Sequence, residues 1–261
     1  MNQITKKLGN KINSIIKKIK ILDSIDAVFE KISNKVIRKE FHYSRRDLRR
    51  YKTFFGNKLI TKGKLDLIQK NLPIAISDKS RIFDLGCADG SLLYELNAFN
   101  NNLFLFGADS GYRNCFKRDM PENINIIDLD LMHSHYNPKG INNPETVDLE
   151  MPANIDLCIM YDVMPYLSIK TIENYFSQFK KSLSKEGLIF ITCRINTLTN
   201  FIISGNRGEK FQSSLHLSKI LDIASRNGFE VVNLKWGSWD SSRKFSSVYG
   251  ADIIVFKKFI Q

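Results

Sequence analysis

Ten consecutive residues, Ile82-Phe83-Asp84-Leu85-Gly86-Cys87-Ala88-Asp89-Gly90-Ser91, constrain this chain more than any other stretch. The apolar start reads as a buried strand, the glycines as a tight turn, and Ser91–Phe99 as the helix that follows. Glycine reaches backbone angles that other residues avoid and leaves no side chain in a ligand's way. A strand that runs directly into a helix belongs to a parallel sheet, in which crossovers connect successive strands. The rest of the chain keeps that alternation. Leu103–Ala108, Ile124–Ile127, Ile155–Met160 and Leu188–Cys193 read as further strands, and Phe229–Trp236 and Ala251–Phe259 as two final ones. Lys64–Asn71 reads as a helix stopped by Pro73. Ile169–Leu183 reads as a helix closed at Gly187 in a left-handed cap, and Leu217–Asn227 as one ended by Gly228. The expected fold class is α/β: a seven-stranded, mostly parallel sheet with helices on both faces, whose ligands bind beyond the carboxyl ends of the strands.

Charge separates the beginning of the chain from the remainder. Residues 1–58 hold 16 Lys/Arg against 5 Asp/Glu, and residues 59–261 hold 23 against 22. Ile4, Leu8, Ile12, Ile15, Ile19 and Leu22 recur at helical spacing with lysines between them, so 4–39 reads as helical. The expected organisation is a basic helical N-terminal extension over 1–75 and a ligand-binding domain over 76–261. A nucleic-acid footprint spread over the whole fold would have made the larger part basic as well. No apolar run reaches the length that spans a bilayer. The four cysteines, Cys87, Cys115, Cys158 and Cys193, are far apart and form no metal-binding spacing, which suits free thiols in a reducing, cytoplasmic compartment.

Two kinds of ligand compete for the Gly86–Gly90 turn. A dinucleotide fingerprint needs G-x-G-x-x-G, so that a pyrophosphate can approach a helix N-terminus. Here that frame reads Gly86, Ala88, Ser91. A carboxylate just before the first glycine, Asp84, suits a cation instead. Asp109 closes the second strand 23 residues after Gly86, where an acid can accept hydrogen bonds from ribose hydroxyls in either kind of site.

The segment Asp84–Gly90 resembles the first motif of class I S-adenosylmethionine-dependent methyltransferases, an acid-x-G-x-G-x-G pattern with Ala88 at the middle glycine. Asn123–Asp130 is similar to that family's third strand and its following acid. Asp130 matches the residue that faces the adenine amine, and Asp128 is the alternative. Ile155–Leu167 resembles the fourth-strand motif, but Pro165 and Tyr166 stand where many small-molecule O-methyltransferases have Glu and His. The resemblance extends from Arg81 to Phe259. It implies a Rossmann-like fold with S-adenosyl-L-methionine as cofactor, held by Asp84, Gly86, Cys87, Ala88, Gly90, Asp109, Ser110, Asp130 and Tyr161.

Methyl transfer is chiefly a positioning task, because the sulfonium is already activated. An alcohol acceptor also needs a base. The candidates are His216, His133 or His135, Asp162 and Tyr166. The His133-x-His135 pair has no carboxylate partners nearby that would complete a ligand set, so no metal is expected. The Arg/aromatic cluster at 41–55 and Arg194 suit an anionic small-molecule acceptor, such as a nucleotide-sugar or surface-glycan precursor, with Tyr43, Arg45, Arg46 and Arg194 as its contacts. The extension itself reads as a lid, as a peripheral membrane contact, or as a helix packed on the main domain or on a second subunit. Three further functions stay open: an RNA methyltransferase, an NAD-type oxidoreductase and a non-catalytic S-adenosylmethionine-binding module. The Asn/Asp-Pro-Pro-aromatic motif of nucleic-acid amino-methylases is absent, and Met160-Tyr161-Asp162-Val163 stands in its place. The oligomeric state is not readable from the sequence.

Overall fold

A computed structural model describes residues 58–88, 90–109, 121–131, 143–193, 195–196, 201–203, 213–235 and 252–259. The basic segment 1–57, the residues Ser110, His133, His135 and Arg194, and the cluster containing Tyr43, Arg45 and Arg46 lie outside them. The described elements are α1 (Lys58–Asn71), β1 (Arg81–Leu85), α2 (Ser91–Phe99), β2 (Phe104–Asp109), β3 (Ile124–Asp128), β4 (Ile155–Met160), a 3₁₀ turn (Met164–Tyr166), α3 (Ile169–Ser182), β5 (Leu183–Cys193), β6 (Ile195–Asn196), β7 (Phe201–Ile203), β8 (Ser213–His216), α4 (Leu217–Arg226), β9 (Phe229–Lys235) and β10 (Asp252–Lys258).

Seven of the strands form one sheet in the order β3-β2-β1-β4-β5-β10-β9. The pairs β1–β2, β2–β3, β1–β4 and β4–β5 are parallel, and β10 runs antiparallel to both of its neighbours. The expected mostly parallel sheet is thus present. The reversal of strand order beside β1 makes the switch point at which open α/β sheets form their crevice.

The central strands are buried on both faces, as a doubly covered parallel sheet requires. Successive residues serve opposite faces. On β1, Ile82 joins a core with Leu65 and Ile68 of α1 and Leu92, Leu93 and Leu96 of α2. Phe83 and Leu85 join the other core, with Ile172, Tyr175, Phe176 and Phe179 of α3 and Ile220, Ile223 and Ala224 of α4. The same alternation runs through Leu157 and Cys158, Phe190 and Ile191, and Val255 and Phe256. Phe176 anchors the second core, with Phe229 and Phe256 edge-on at 5.8 and 5.6 Å.

Two features depart from expectation. Gly187 is not a left-handed helix cap. Helix α3 ends at Ser182, Gly187 lies inside β5, and its φ is not positive. What demands a glycine there is crowding: a Cβ would sit 2.9 Å from Leu183 Cβ and 3.0 Å from two backbone oxygens. The second departure is a small three-stranded sheet, β6-β8-β7, inserted between β5 and α4. Its strands have two to four residues, too short for a periodic pattern to show.

The segment before β4 is fastened to α3 by side chains. Gln178 accepts from Leu149 N–H at 2.7 Å and donates to Val147 O at 2.7 Å, while Asn174 donates to Val147 O at 3.0 Å. A shallow depression of about 570 Å³ beside this segment is lined by Asp148, Gln178 and Lys181 among others. It lies at the amino-terminal end of the sheet, opposite the switch point.

Candidate functional site

Among the described residues, five acids mark the carboxyl edge of the sheet. Asp84 lies on β1, Asp109 ends β2, Asp128 ends β3, Asp130 follows β3 and Asp162 follows β4. Asp84, Asp109 and Asp130 are buried, whereas Asp128 and Asp162 are half-buried. The β2–β3 register sets Asp109 directly beside Asp128.

Among the described residues of the turn after β1, three are left-handed, Gly86 at φ 81°, Ala88 at φ 54° and Gly90 at φ 73°. Its N–H groups are turned toward protein oxygens. Gly86 and Cys87 both donate to Ala108 O, at 2.8 and 3.1 Å, and Gly90 donates to Cys87 O at 2.9 Å. Ala88 donates to Asp109 Oδ2 at 2.7 Å within the buried interior. A pyrophosphate cradle needs such N–H groups aimed at the ligand. Among the described residues, this turn presents carboxylates and turns the N–H groups of Gly86, Cys87, Ala88 and Gly90 to protein oxygens.

Gly86 has a further role that its sequence position did not reveal. A Cβ there would lie 2.3 Å from Val163 Cγ2. The missing side chain thus makes room for the protein's own β4 exit turn. Gly107 on β2 is required in the same way, because a Cβ would meet Cys87 Sγ and Leu93 Cδ1, each at 2.8 Å. An isolated glycine within a strand is a signal of close approach, and Gly107 carried that signal.

The β4 exit turn is the other wall. Asp162 is left-handed at φ 63°, and its N–H donates to Thr192 Oγ1 at 2.8 Å. Tyr161 is half-buried under Lys64 of α1, whose Nζ lies 4.8 Å from the ring centroid. Burial, and then the neighbouring Asp162 carboxylate, hold the Tyr161 hydroxyl well above its ordinary ionisation range. It therefore stays neutral, a hydrogen-bonding group and not a phenolate. Burial and then Asp84 likewise push up the Cys158 thiol. Cys87, Cys158 and Cys193 are buried and form no disulfide.

Tyr166 is half-buried in the 3₁₀ turn and packs against the α3/α4 core. His216 stands at the start of α4 as its N-cap. Its Nδ1 accepts from Ser218 N–H at 3.2 Å and lies 2.7 Å from Ser218 Oγ. An Nδ1 that accepts from a backbone N–H leaves the ring proton on Nε2. In this arrangement the imidazole satisfies a helix end. Asp252, a buried acid beyond the reach of the motifs, accepts from Ile195 N–H at 3.0 Å and secures the start of β6. Tyr175, wholly buried on α3, donates its hydroxyl to Leu131 O, the carbonyl next after Asp130.

No family model and no curated protein matches the sequence. The similarity lies in the structure. A Nostoc punctiforme protein described as an O-methyltransferase superposes with a TM-score of 0.53 over 80% of this chain and 60% of its own length, at 14% identity. A glycopeptide N-methyltransferase solved with S-adenosyl-L-methionine gives 0.51 over 77% of this chain and 94% of its own, at 8% identity. The fold is that of the class I S-adenosylmethionine-dependent methyltransferases. The (4+2)-cyclase SpnF shares this methyltransferase fold, with a TM-score of 0.53 over 78% of this chain and 82% of its own at 12% identity. At these identities the likeness fixes the architecture, and chemistry has to be argued from the site.

Proposed function

We propose that this protein is an S-adenosylmethionine-dependent methyltransferase with the cofactor at the β1 turn. One observation carries the reading. Gly86, Cys87, Ala88 and Gly90 direct their N–H groups into the protein, while the buried carboxylates Asp84 and Asp109 stand at the turn. That chemistry suits a ligand carrying an ammonium, a sulfonium and ribose hydroxyls, and it is unsuited to a dinucleotide pyrophosphate.

Bound S-adenosylmethionine would supply a methyl group already activated by its sulfonium. The chain's task is to hold and orient. Asp84 would face the ammonium, Asp109 the ribose hydroxyls and Asp130 the adenine amine. Gly86, Cys87, Ala88 and Gly90 would form the floor, and Tyr161 would donate a hydrogen bond from its neutral hydroxyl. Ser110 would follow Asp109 in the same role. Among the described candidates for a base, Asp162 is the one set in the exit turn with a half-buried carboxylate, since His216 is occupied as a helix cap. Tyr166 and His133 are the other candidates for proton transfer.

The finer reading is O-methylation of a small anionic acceptor, such as a nucleotide-sugar or surface-glycan precursor, in the cytoplasm. The density of arginine at 45–50 and Arg194 just after β5 support it, with Tyr43, Arg45, Arg46 and Arg194 as acceptor contacts. The residues from 1 to 75 would then act as a basic lid on the domain at 76–261. The (4+2)-cyclase SpnF favours one rival, the same fold put to a use other than methyl transfer. Calorimetry with S-adenosylhomocysteine and with NAD tests the cofactor. Labelled methyl transfer to nucleotide-sugars tests the acceptor. Binding of NAD alone ends the reading, and S-adenosylhomocysteine binding without turnover of any acceptor favours the rival.

A further inference from the structure

We propose that Thr192 is a positioning residue for the cofactor turn, acting from β5 through the β4 exit turn; the inference rests on the functional reading above. Thr192 has no exposed surface and ends an otherwise apolar run, Leu188-Ile189-Phe190-Ile191. Its Oγ1 accepts the Asp162 N–H at 2.8 Å. Asp162 is held at φ 63°, a left-handed conformation that a non-glycine residue keeps only when its surroundings fix it. The next residue, Val163, places Cγ2 within 2.3 Å of where a Gly86 Cβ would be. The linkage is therefore continuous: Thr192 holds Asp162, Asp162 directs Val163, and Val163 seats against the glycine on which the cofactor would rest. Without the hydroxyl, the Asp162 N–H loses its acceptor and the left-handed turn loses that brace, which draws Val163 away from Gly86 and swings Tyr161 and the Asp162 carboxylate out of register.

The test uses the full chain and S-adenosylhomocysteine as the probe. Thr192→Val keeps the shape of the side chain and removes the acceptor. It should weaken binding about tenfold, the size of one lost hydrogen bond to a half-buried N–H, felt in the bound geometry that the brace holds. Thr192→Ser restores the acceptor and should bind like wild type. Ile191→Val, one residue earlier and facing the α3/α4 core, should lower the denaturation midpoint and leave affinity unchanged, which separates positioning from general stability. Asp162→Gly supplies the decisive cycle. Glycine occupies the left-handed region without a brace, so Thr192→Val should cost less affinity in the Asp162→Gly background than in wild type. Equal affinity of Thr192→Val and wild type overturns the inference, as does a Thr192→Ser variant that is impaired as much as Thr192→Val. An additive cycle overturns it too. A wild-type protein that binds no S-adenosylhomocysteine overturns the functional reading itself.

Discussion

Two turns face each other at the carboxyl edge, and they reach left-handed backbone by different means. The β1 exit turn uses composition, with Gly86 and Gly90 at φ 81° and 73°. The β4 exit turn uses a tertiary brace, with Asp162 at φ 63° held by Thr192. A glycine accepts the conformation without steric penalty but loses more freedom on folding. An aspartate retains a carboxylate at that point and depends on a partner elsewhere to hold it. The difference fits the tasks proposed for them. The first turn would be a bare floor. The second would present side chains, Tyr161, Asp162 and Val163, over that floor. Ala88 belongs to both schemes: it is a left-handed non-glycine in the glycine turn, and it too is braced, by Asp109.

The contact between the turns gives the largest expected effect. Gly86→Ala introduces a Cβ against Val163 at 2.3 Å and places alanine at φ 81°. Overpacking and left-handed strain together should cost about 2–5 kcal/mol, read from urea denaturation, and should abolish S-adenosylhomocysteine binding. If the contact is what matters, Gly86→Ala with Val163→Ala should be more stable than the sum of the single changes by about 1–3 kcal/mol. Additivity would mean that the two turns do not interlock.

The brace within the glycine turn comes next. Asp109→Ala removes both the acceptor for Ala88 N–H and the proposed ribose acceptor, and should weaken S-adenosylhomocysteine binding by about 1–3 kcal/mol. Asp109→Asn keeps an acceptor oxygen for Ala88 and loses the charge, so it should fall between wild type and alanine. Calorimetry that finds Asn and Ala equal would assign the whole effect to the charge.

Alkaline pH separates the turns further, because the β4 side has a half-buried phenol. The Tyr161 hydroxyl is raised by burial and then by Asp162, and the Tyr175 hydroxyl by burial. In the unfolded chain both ionise near the ordinary tyrosine value of about 10. A folded value above the unfolded one means that the contribution is complete below about pH 10 and is lost as pH rises toward the folded value, by up to about 1.4 kcal/mol per pH unit for each group. Denaturation at pH 9, 10 and 11 should show this fall, and Tyr161→Phe should remove one group's share of the slope. The raised Cys158 and Cys193 thiols add a slope that begins lower and persists in that variant.

The same contrast explains what could be read from the sequence. The glycine turn was legible because its geometry is written in its own residues: a buried strand, two glycines, a helix start. The mostly parallel sheet followed from the alternation of strands and helices, whereas the order of its strands is set by pairings the sequence does not announce. The Asp162–Thr192 brace joins residues 30 positions apart, and a single threonine in an apolar strand announces no partner. Gly187 was legible as special but assigned the wrong cause, since crowding and left-handed geometry both select glycine and the sequence does not tell them apart. His216 looked like a loop histidine open to catalysis, and only the position of Ser218 N–H shows it as a helix cap. The β6-β8-β7 sheet is held by pairings between strands too short to carry a pattern.

The smallest effect is the most informative about Ala88. The motif it resembles has glycine at this position, and φ 54° is left-handed, so alanine pays a steric penalty there of about 1–2 kcal/mol. Ala88→Gly removes that penalty and adds about 0.4–1 kcal/mol of unfolded-state freedom. The net change should be a stabilisation between about 0 and about 1.6 kcal/mol by urea denaturation. Affinity should hold, because the Ala88 N–H to Asp109 bond comes from the backbone and survives the change. A destabilised Ala88→Gly would show that the alanine methyl, itself buried, packs well enough to repay its conformation. The glycine turn would then resemble its braced counterpart after β4 more closely than its composition suggests.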